Sequence, residues 1–303
     1  MGDGYALTNL RTPEAEIDID TALVGKLLAA QHPDLGRLPI EAVDAGWDNA
    51  LFRLGAEMAV RLPRRSAAAP LVRLEQRWLP ELSKQLPIAI PAPLRIGIPG
   101  EGFPWSWSVV PWLHGSPADL TAPNDAQGEP LARFLQCLHV AAPADAPTSR
   151  VRGVPLSNRA AVVEERLRRL ESRTSLVSAA VWHAWHRALE APRDGDATWI
   201  HGDLHARNVL VDDAGALSGV IDWGDMAAGD KATDLAAIWM LLPGEAARRA
   251  AMEAYPDRSE ALWDRARGWA VALGALLLET GLENHPRHAR MGDLTLRRVV
   301  AAL

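Results

Sequence analysis

The stretch 199-WIHGDLHARNVLV-211 sets two histidines, an aspartate, an arginine and an asparagine between apolar runs. Polar side chains that dense, beside a β-branched run, are costly to bury unless they bind an ion or do chemistry. The residues that follow, 208-NVLVDDAGALSGVIDW-223, have the form strand, turn, strand, with Asp212, Asp213, Ala214 and Gly215 supplying the turn. Folding the chain back there carries Asn208, before the first strand, and Asp222, after the second, to one end of a hairpin. Asp203 lies just upstream. An amide oxygen and a carboxylate, with room for water and phosphate oxygens, form a donor set that Mg²⁺ prefers. Asp203 is then left to orient an attacking hydroxyl and take its proton. Phosphoryl transfer asks little more covalent chemistry of a protein, because positioning and charge neutralisation carry most of the work.

The order Asp203, four residues, Asn208, hairpin, Asp222 resembles that of the kinase fold: base aspartate, metal asparagine, metal aspartate. With Gly202 where protein kinases carry arginine, 201-HGDLHARN-208 followed by 221-IDWGD-225 is similar to the aminoglycoside phosphotransferase family, kin to choline and macrolide kinases. The similarity is sharp over residues 199–235 and looser over 43–242. The Ala206-Arg207 pair departs from the Pro-Gly common in relatives.

The resemblance implies an α+β, two-lobed protein-kinase-like fold. A strand-rich N-terminal nucleotide-binding lobe would span residues 1–108, a hinge 109–115, and a helical C-terminal catalytic and substrate lobe 116–303. It implies a kinase that moves the γ-phosphoryl of ATP or GTP to a hydroxyl of an aminoglycoside-like acceptor, and so an antibiotic-resistance type of chemistry. Asp203 would be the base, with Asn208 and Asp222 holding Mg²⁺. His205 would either touch the transferred phosphate or shape the loop. A helix glutamate, Glu75, would position a strand cation on the α- and β-phosphates. The strand 57-EMAVRLP-63 offers Arg61 there instead of the family's lysine. Arginine binds phosphate bidentately and stays charged, with a longer, planar head. The turn in 44-DAGWDNALFRLG-55 would cover the phosphates through Trp47 or Asn49. The strand 108-SVVPWLHG-115, with Val110 and Trp112, would read the base. Asp225, Glu279, Glu283 and Asp293 are the carboxylates available to line an acceptor cleft.

The rest of the chain bounds these readings. It has 303 residues and a formal net charge of -6, with no basic stripe, which argues against a nucleic-acid partner. The acidic N-terminal stretch over residues 1–20 has no apolar core and does not read as a signal peptide. The longest apolar run, 269-WAVALGALLL-278, is about half a membrane span. A soluble, cytoplasmic protein follows as the expectation. The one cysteine, Cys137, at helical spacing in 134-FLQCLH-139, reads as a core thiol. Lys26, Lys84 and Lys231 are the only lysines.

Three strands or two are expected over residues 40–63, a helix over 70–82, and two more strands over 92–115. Helices dominate from residue 116, interrupted by one β segment over 199–223 and including a continuous helix over 232–242. On the 70–82 helix the apolar stripe runs through Leu71, Leu74 and Trp78, with Glu75 at its edge. Trp105 and Trp107 read as core. His201, His139, Asp230 and Asp234 read as bracing or core residues, and Arg207 as facing a carboxylate. The pairs Glu164–Arg168 and Glu165–Arg169 suit an exposed helix. Other acceptors remain open, a macrolide or a metabolite alcohol among them. Two rivals remain: a non-catalytic, nucleotide-binding pseudokinase, suggested by Arg61, and a hydrolase using His201, Asp203 and His205 as metal ligands. No G-x-x-x-x-G-K-[ST] occurs, so a P-loop NTPase is excluded.

Overall fold

The computed structural model describes residues 14–193 and 195–301; most of the acidic N-terminal stretch lies outside them. The chain divides into two compact units, Met1–Ser83 with Pro91–Leu113, and Lys84–Ile90 with His114–Leu303.

The first unit holds α1 (Thr21–Gln31), β1 (Ile40–Ala45), β2 (Asn49–Leu54), β3 (Met58–Pro63), α2 (Ala69–Leu82), β4 (Arg95–Gly97) and β5 (Trp107–Pro111). The strands form one antiparallel sheet in the order β1-β2-β3-β5-β4. Alternation decides which face of β2 is covered: Ala50, Phe52 and Leu54 are buried, their neighbours half-buried. Asp20 caps α1 by accepting the Leu23 N–H at 2.7 Å. Val24, Leu27 and Leu28 of α1, at helical spacing, pack on Phe52, Leu54, Val60 and Val109. Trp107 is fully buried in this core. Gly97 on the neighbouring strand makes room for it, since a Cβ there would sit inside the indole ring.

On α2 the buried face differs from the expected stripe. Val72, Glu75, Leu79 and Leu82 face inward, while Leu71, Leu74 and Trp78 are half-buried. Two polar contacts to the sheet fix the rotation. Glu75 meets Arg61 on β3 at 2.8 Å, and Gln76 donates to the Trp107 carbonyl at 2.9 Å and the Ser108 hydroxyl at 3.0 Å. Glu75 therefore sits within the buried face rather than at its edge.

The second unit holds β6 (Ser116–Pro117), α3 (Gly128–Leu138), α4 (Ala160–Glu171), α5 (Ala179–Glu190), β7 (Thr198–Ile200), β8 (Val209–Val211), β9 (Leu217–Val220) and β10 (Ala227–Gly229). It ends in α6 (Ala232–Leu235), α7 (Ala237–Leu241), α8 (Glu245–Ala254), α9 (Glu260–Asn284) and α10 (Pro286–Ala301). Two small sheets run in the orders β6-β8-β9 and β10-β7. The expected hairpin is β8–β9, and Val220 also donates to the Ala89 carbonyl at 2.9 Å.

Two expectations need correction. The β segment does not stop at Trp223, because β10 pairs Ala228 with Trp199 of β7. Alanine and glycine carry little strand signal, so only pairing reveals this strand. The helix read over 232–242 is broken at Ala236 into α6 and α7. Helix α9 is buried on most sides against α4, α5, α6 and α10, as a helix apolar all round should be. Among the described residues, no helix is long and apolar enough to cross a membrane.

Candidate active site

The loop 201–208 joins β7 to β8 and is held from below. Asp234, on α6, accepts the His201 N–H at 2.6 Å and the Gly202 N–H at 2.8 Å. His201 is fully buried. Its Nε2 bonds the Ile221 carbonyl at 3.0 Å, its Nδ1 accepts the Asp203 N–H at 3.3 Å, and its ring meets Trp223 edge-on at 4.8 Å. Gly202 has φ of 84°, and a Cβ there would come within 2.6 Å of the Asp225 carbonyl. Glycine is therefore the residue this turn admits. Each member of the His-Gly-Asp run has a physical task before any chemistry begins.

Asp203 leaves that loop one-quarter exposed. Its Oδ1 accepts from Arg152 Nη2 at 2.7 Å, and its Oδ2 lies 3.3 Å from His205 Nε2 and 3.5 Å from Asn208 Nδ2. Burial pushes this carboxyl up, but the charge of Arg152, then His205, outweighs it and holds the group below the usual carboxylate range. The same pairing works on His205: burial disfavours the imidazolium, Asp203 more than offsets it, and the ring's affinity for a proton rises. Arg152 also reaches Asp225, Nε to Oδ2, at 3.5 Å. Burial raises the Asp225 carboxyl against the pull of Arg152.

Asn208 is buried and donates through Nδ2 to the Asp203 carbonyl at 2.9 Å, which turns its Oδ1 to the opposite side. The Ile221 N–H donates to the Asn208 carbonyl at 2.9 Å, so Asn208 and Asp222 lie at one end of the hairpin. Asp222 is exposed and takes a left-handed backbone, φ 63°. A non-glycine residue there costs roughly 1–2 kcal/mol, and such strain gathers at functional sites.

Within the first unit, Arg61 and Glu75 pair at 2.8 Å with side chains 12% and 6% exposed. The β1–β2 turn carries Trp47, 46% exposed, and is stapled by two arginines that the sequence reading did not single out. Arg64 Nη1 donates to the Gly46 carbonyl at 2.9 Å and Arg65 Nη2 to Asp48 at 2.7 Å. The Asn49 Oδ1 is buried with no hydrogen bond among the described residues.

On β5, Val110 is buried and its backbone pairs toward β3, opposite Ala59. Leu94 donates to the Val109 carbonyl at 2.8 Å, and Trp112 to the Glu57 carbonyl at 2.8 Å. By the alternation of a strand, the Pro111 carbonyl and the Leu113 N–H then face the side beyond the end of β4. The backbone of Val110 is therefore engaged with β3, contrary to the expectation that it reads a ligand. Trp112 lies under Arg53, 4.7 Å from guanidinium to ring.

Several other expected site residues fall elsewhere. Glu279 lines no acceptor cleft. It is 7% exposed and bonded to Arg166 and Arg169 at 2.8 Å each, a brace between α4 and α9. Glu283 is exposed near the end of α9, and Asp293 is paired with Arg297 one turn on at 3.0 Å. Arg207 faces His288, at 2.8 Å, rather than a carboxylate. Burial and Arg207 lower the His288 pKa to about 4, so it is a neutral acceptor at pH 7. The hydrolase reading fails on geometry. Both His201 nitrogens are engaged inside the core, and no three His, Cys, Asp or Glu side chains among the described residues converge to hold a metal. A further residue the sequence reading missed, beside Asp203 itself, is Arg152. It lies on a loop 51 positions before Asp203, with no periodicity or motif to mark it.

Residues 39–269 match the phosphotransferase enzyme family (APH). The uncharacterized protein YcbJ of Bacillus subtilis (strain 168) is 28% identical over 123 residues, 36% of this chain and 39% of that protein. The match thus spans well under half of that relative's length. Among solved structures, the GDP and kanamycin complex of APH(2")-IIia superposes with a TM-score of 0.65 at 19% identity, over 92% of this chain and 99% of that one. ADP-bound aminoglycoside phosphotransferase APH(2'')-Ib gives 0.59 at 15%, over 93% and 99%. The macrolide 2'-phosphotransferase MphH of Brachybacterium faecium, as the apoenzyme, gives 0.59 at 23%, over 91% and 98%. At such identities the structures share the fold, the two-lobed α+β arrangement of kinase type. The family match covers most of the chain, which belongs to the phosphotransferase enzyme family.

Proposed function

We propose that the protein is a small-molecule kinase that transfers the γ-phosphoryl of a nucleoside triphosphate to an acceptor hydroxyl. One observation carries the reading: Asp203, Asn208 and Asp222 gather at one end of the β8–β9 hairpin, above a loop clamped by Asp234. The acceptor oxygen attacks the γ-phosphorus while the bond to the β–γ bridging oxygen breaks, and the nucleoside diphosphate leaves with the electron pair. Asp203 orients the hydroxyl and accepts its proton, and His205, 3.3 Å from it, steadies the transferred group. Asn208 Oδ1 and the Asp222 carboxylate are hard oxygen donors and fit Mg²⁺. Bound there, Mg²⁺ would supply neutralisation of the triphosphate charge.

In the first unit, Arg61, held by Glu75, is the phosphate contact. Trp47 and Asn49 belong to the covering turn, and the Pro111 carbonyl and Leu113 N–H are the groups that read the base edge. Backbone readers of this kind suit either ATP or GTP, and two of the solved structures hold GDP and ADP. For an aminoglycoside-like acceptor, Glu279 and Asp293 are already engaged, which leaves Asp225 and the exposed Glu283 as the carboxylates available to it.

The pseudokinase reading draws on one specific fact: both Asp203 oxygens have partners. Measuring nucleoside diphosphate and phosphorylated product with ATP or GTP, Mg²⁺ and a panel of hydroxyl acceptors separates the two. A kinase turns over only with Mg²⁺ and stops in Asp203→Asn. Tight nucleotide binding without any product would leave the pseudokinase.

A further inference from the structure

One guanidinium ties together the loops that make the site. Arg152 reaches Asp203 Oδ1 through Nη2 at 2.7 Å and Asp225 Oδ2 through Nε at 3.5 Å. Asp203 belongs to the 201–208 loop, and Asp225 to the turn just after Asp222. Without the cation between them, two carboxylates so close would repel each other, the more so where protein displaces water.

The loop that carries Arg152 is itself fixed. Ser149 Oγ accepts the N–H groups of Val151 and Arg152 at 3.2 and 3.0 Å. Ala228 of β10 donates to the Pro147 carbonyl at 2.7 Å, and Asp230 donates to the Gly153 carbonyl at 2.9 Å. Gly153 donates to Thr233 Oγ1 at 3.1 Å. Thr233 and Asp234 are neighbours on α6. The first holds the Arg152 loop, and the second holds the backbone at His201 and Gly202. Cation and base are therefore registered against the same turn of helix.

Exposure tells on which side the cation lies. The Arg152 side chain is 15% exposed, that of Asp203 25% and that of Asp225 44%. The guanidinium is the deepest of the three, so it grips Asp203 from the protein side and leaves the outer side of the carboxylate open. An ionised carboxylate offers about four lone-pair positions. Arg152, His205 and Asn208 approach three of them. A hydroxyl can reach Asp203 with Arg152 still in place.

Resting on the kinase reading, we propose that Arg152, anchored by Asp225, is a positioning residue for phosphoryl transfer. It fixes the Asp203 carboxylate in the orientation that meets the acceptor hydroxyl, and it acts through Asp203 rather than on the acceptor.

The test compares kcat and KM of the full chain with Arg152→Ala, Arg152→Lys, Asp225→Asn and the double variant Arg152→Ala/Asp225→Asn. Arg152→Ala should lower kcat about 10- to 100-fold, the effect of a base misplaced by about 1 Å, while KM for acceptor and nucleotide moves less than about threefold. Added guanidinium ion, at millimolar concentration, should restore part of kcat to Arg152→Ala. Urea, as planar but uncharged, should restore none. Arg152→Lys should recover little, because an ammonium is a point charge that does not span two carboxylates. Asp225→Asn should lower kcat in the parent chain and change nothing further in the Arg152→Ala background. An unchanged or raised kcat in Arg152→Ala overturns the proposal, as does a rise in acceptor KM that matches the fall in kcat. So does a loss that guanidinium leaves unrelieved and that Asp225→Asn deepens in full. A parent chain that transfers nothing to any acceptor overturns the kinase reading instead. The carboxyl ¹³C resonance of Asp203, assigned with Asp203→Asn, then judges the contact alone. It should shift in Arg152→Ala and return with guanidinium, and a resonance that stays in place overturns the hold of Arg152 on the base.

Discussion

Two arginine–carboxylate pairs of almost the same length behave as different objects. Arg61 meets Glu75 at 2.8 Å, and Arg152 meets Asp203 at 2.7 Å. The first joins a strand to a helix, with both side chains nearly buried and Glu75 set among Val72, Leu79 and Leu82. The second joins two loops, and its carboxylate is one-quarter exposed with His205 and Asn208 also at hand. Bond length therefore does not tell what a pair is for. What matters is what remains when one partner goes. Removing Arg61 strands a charge in the core, whereas removing Arg152 leaves a carboxylate that still has water and other donors.

The largest effect should come from the exposed side of the comparison. Asp203→Asn is expected to lower phosphoryl transfer about 10²- to 10⁴-fold, the worth of a general base, with nucleotide affinity nearly kept. Steady-state product formation measures this, and retention of more than a tenth of the activity would place the base elsewhere.

Next comes the buried pair. Arg61→Ala should cost about 3–5 kcal/mol of unfolding free energy, because Glu75 is left uncompensated, and Glu75→Leu in the same chain should recover much of it. Arg152→Ala should cost no more than about 1 kcal/mol. Urea unfolding of the variants decides, and equal losses at Arg61 and Arg152 would erase the distinction.

Glu279 sharpens it further, as a buried carboxylate with two arginines. Burial raises its pKa, but Arg169 and Arg166 outweigh that and hold it below the ordinary value. A folded value under the unfolded one means that stabilisation is complete above the unfolded pKa, about 4.3, and is lost as pH falls through the folded value. Glu279→Gln should thus destabilise by about 1–3 kcal/mol at pH 7 and by less as pH drops from 5 to 3, flattening the acid limb of the melting curve. A limb as steep as that of the parent would mean the brace is not ionic.

The smallest effect is expected at the exposed pair Asp293–Arg297, where Arg297→Ala should leave the melting temperature within error, since water screens such contacts.

Much of this was legible in the chain. The β8–β9 hairpin could be read from its turn residues and flanking β-branched runs, and with it the convergence of Asp203, Asn208 and Asp222. Strands over residues 40–63 followed from alternation and glycine turns, though not whether two or three, and α9 from its apolar period. The rotation of α2 could not be read, because it depends on Arg61 and on the Trp107 and Ser108 oxygens across the sheet. Nor could β10, whose Ala-Ala-Gly sequence becomes a strand only beside β7. Glu279 looked available because a helix period says which residues share a face, not which arginines from α4 will meet them.

By itself the sequence determined the local chemistry: which oxygen-bearing side chains lie within one hairpin of each other, and that a small-residue turn precedes the base. Those are short-range facts, set by turn propensity and by the two-residue period of a strand. Tertiary structure alone decided the charge around that base. Arg152 arrives from a loop far back in the chain, and Glu279 is withdrawn by α4. Electrostatic environment depends on distance in space, which no local pattern encodes.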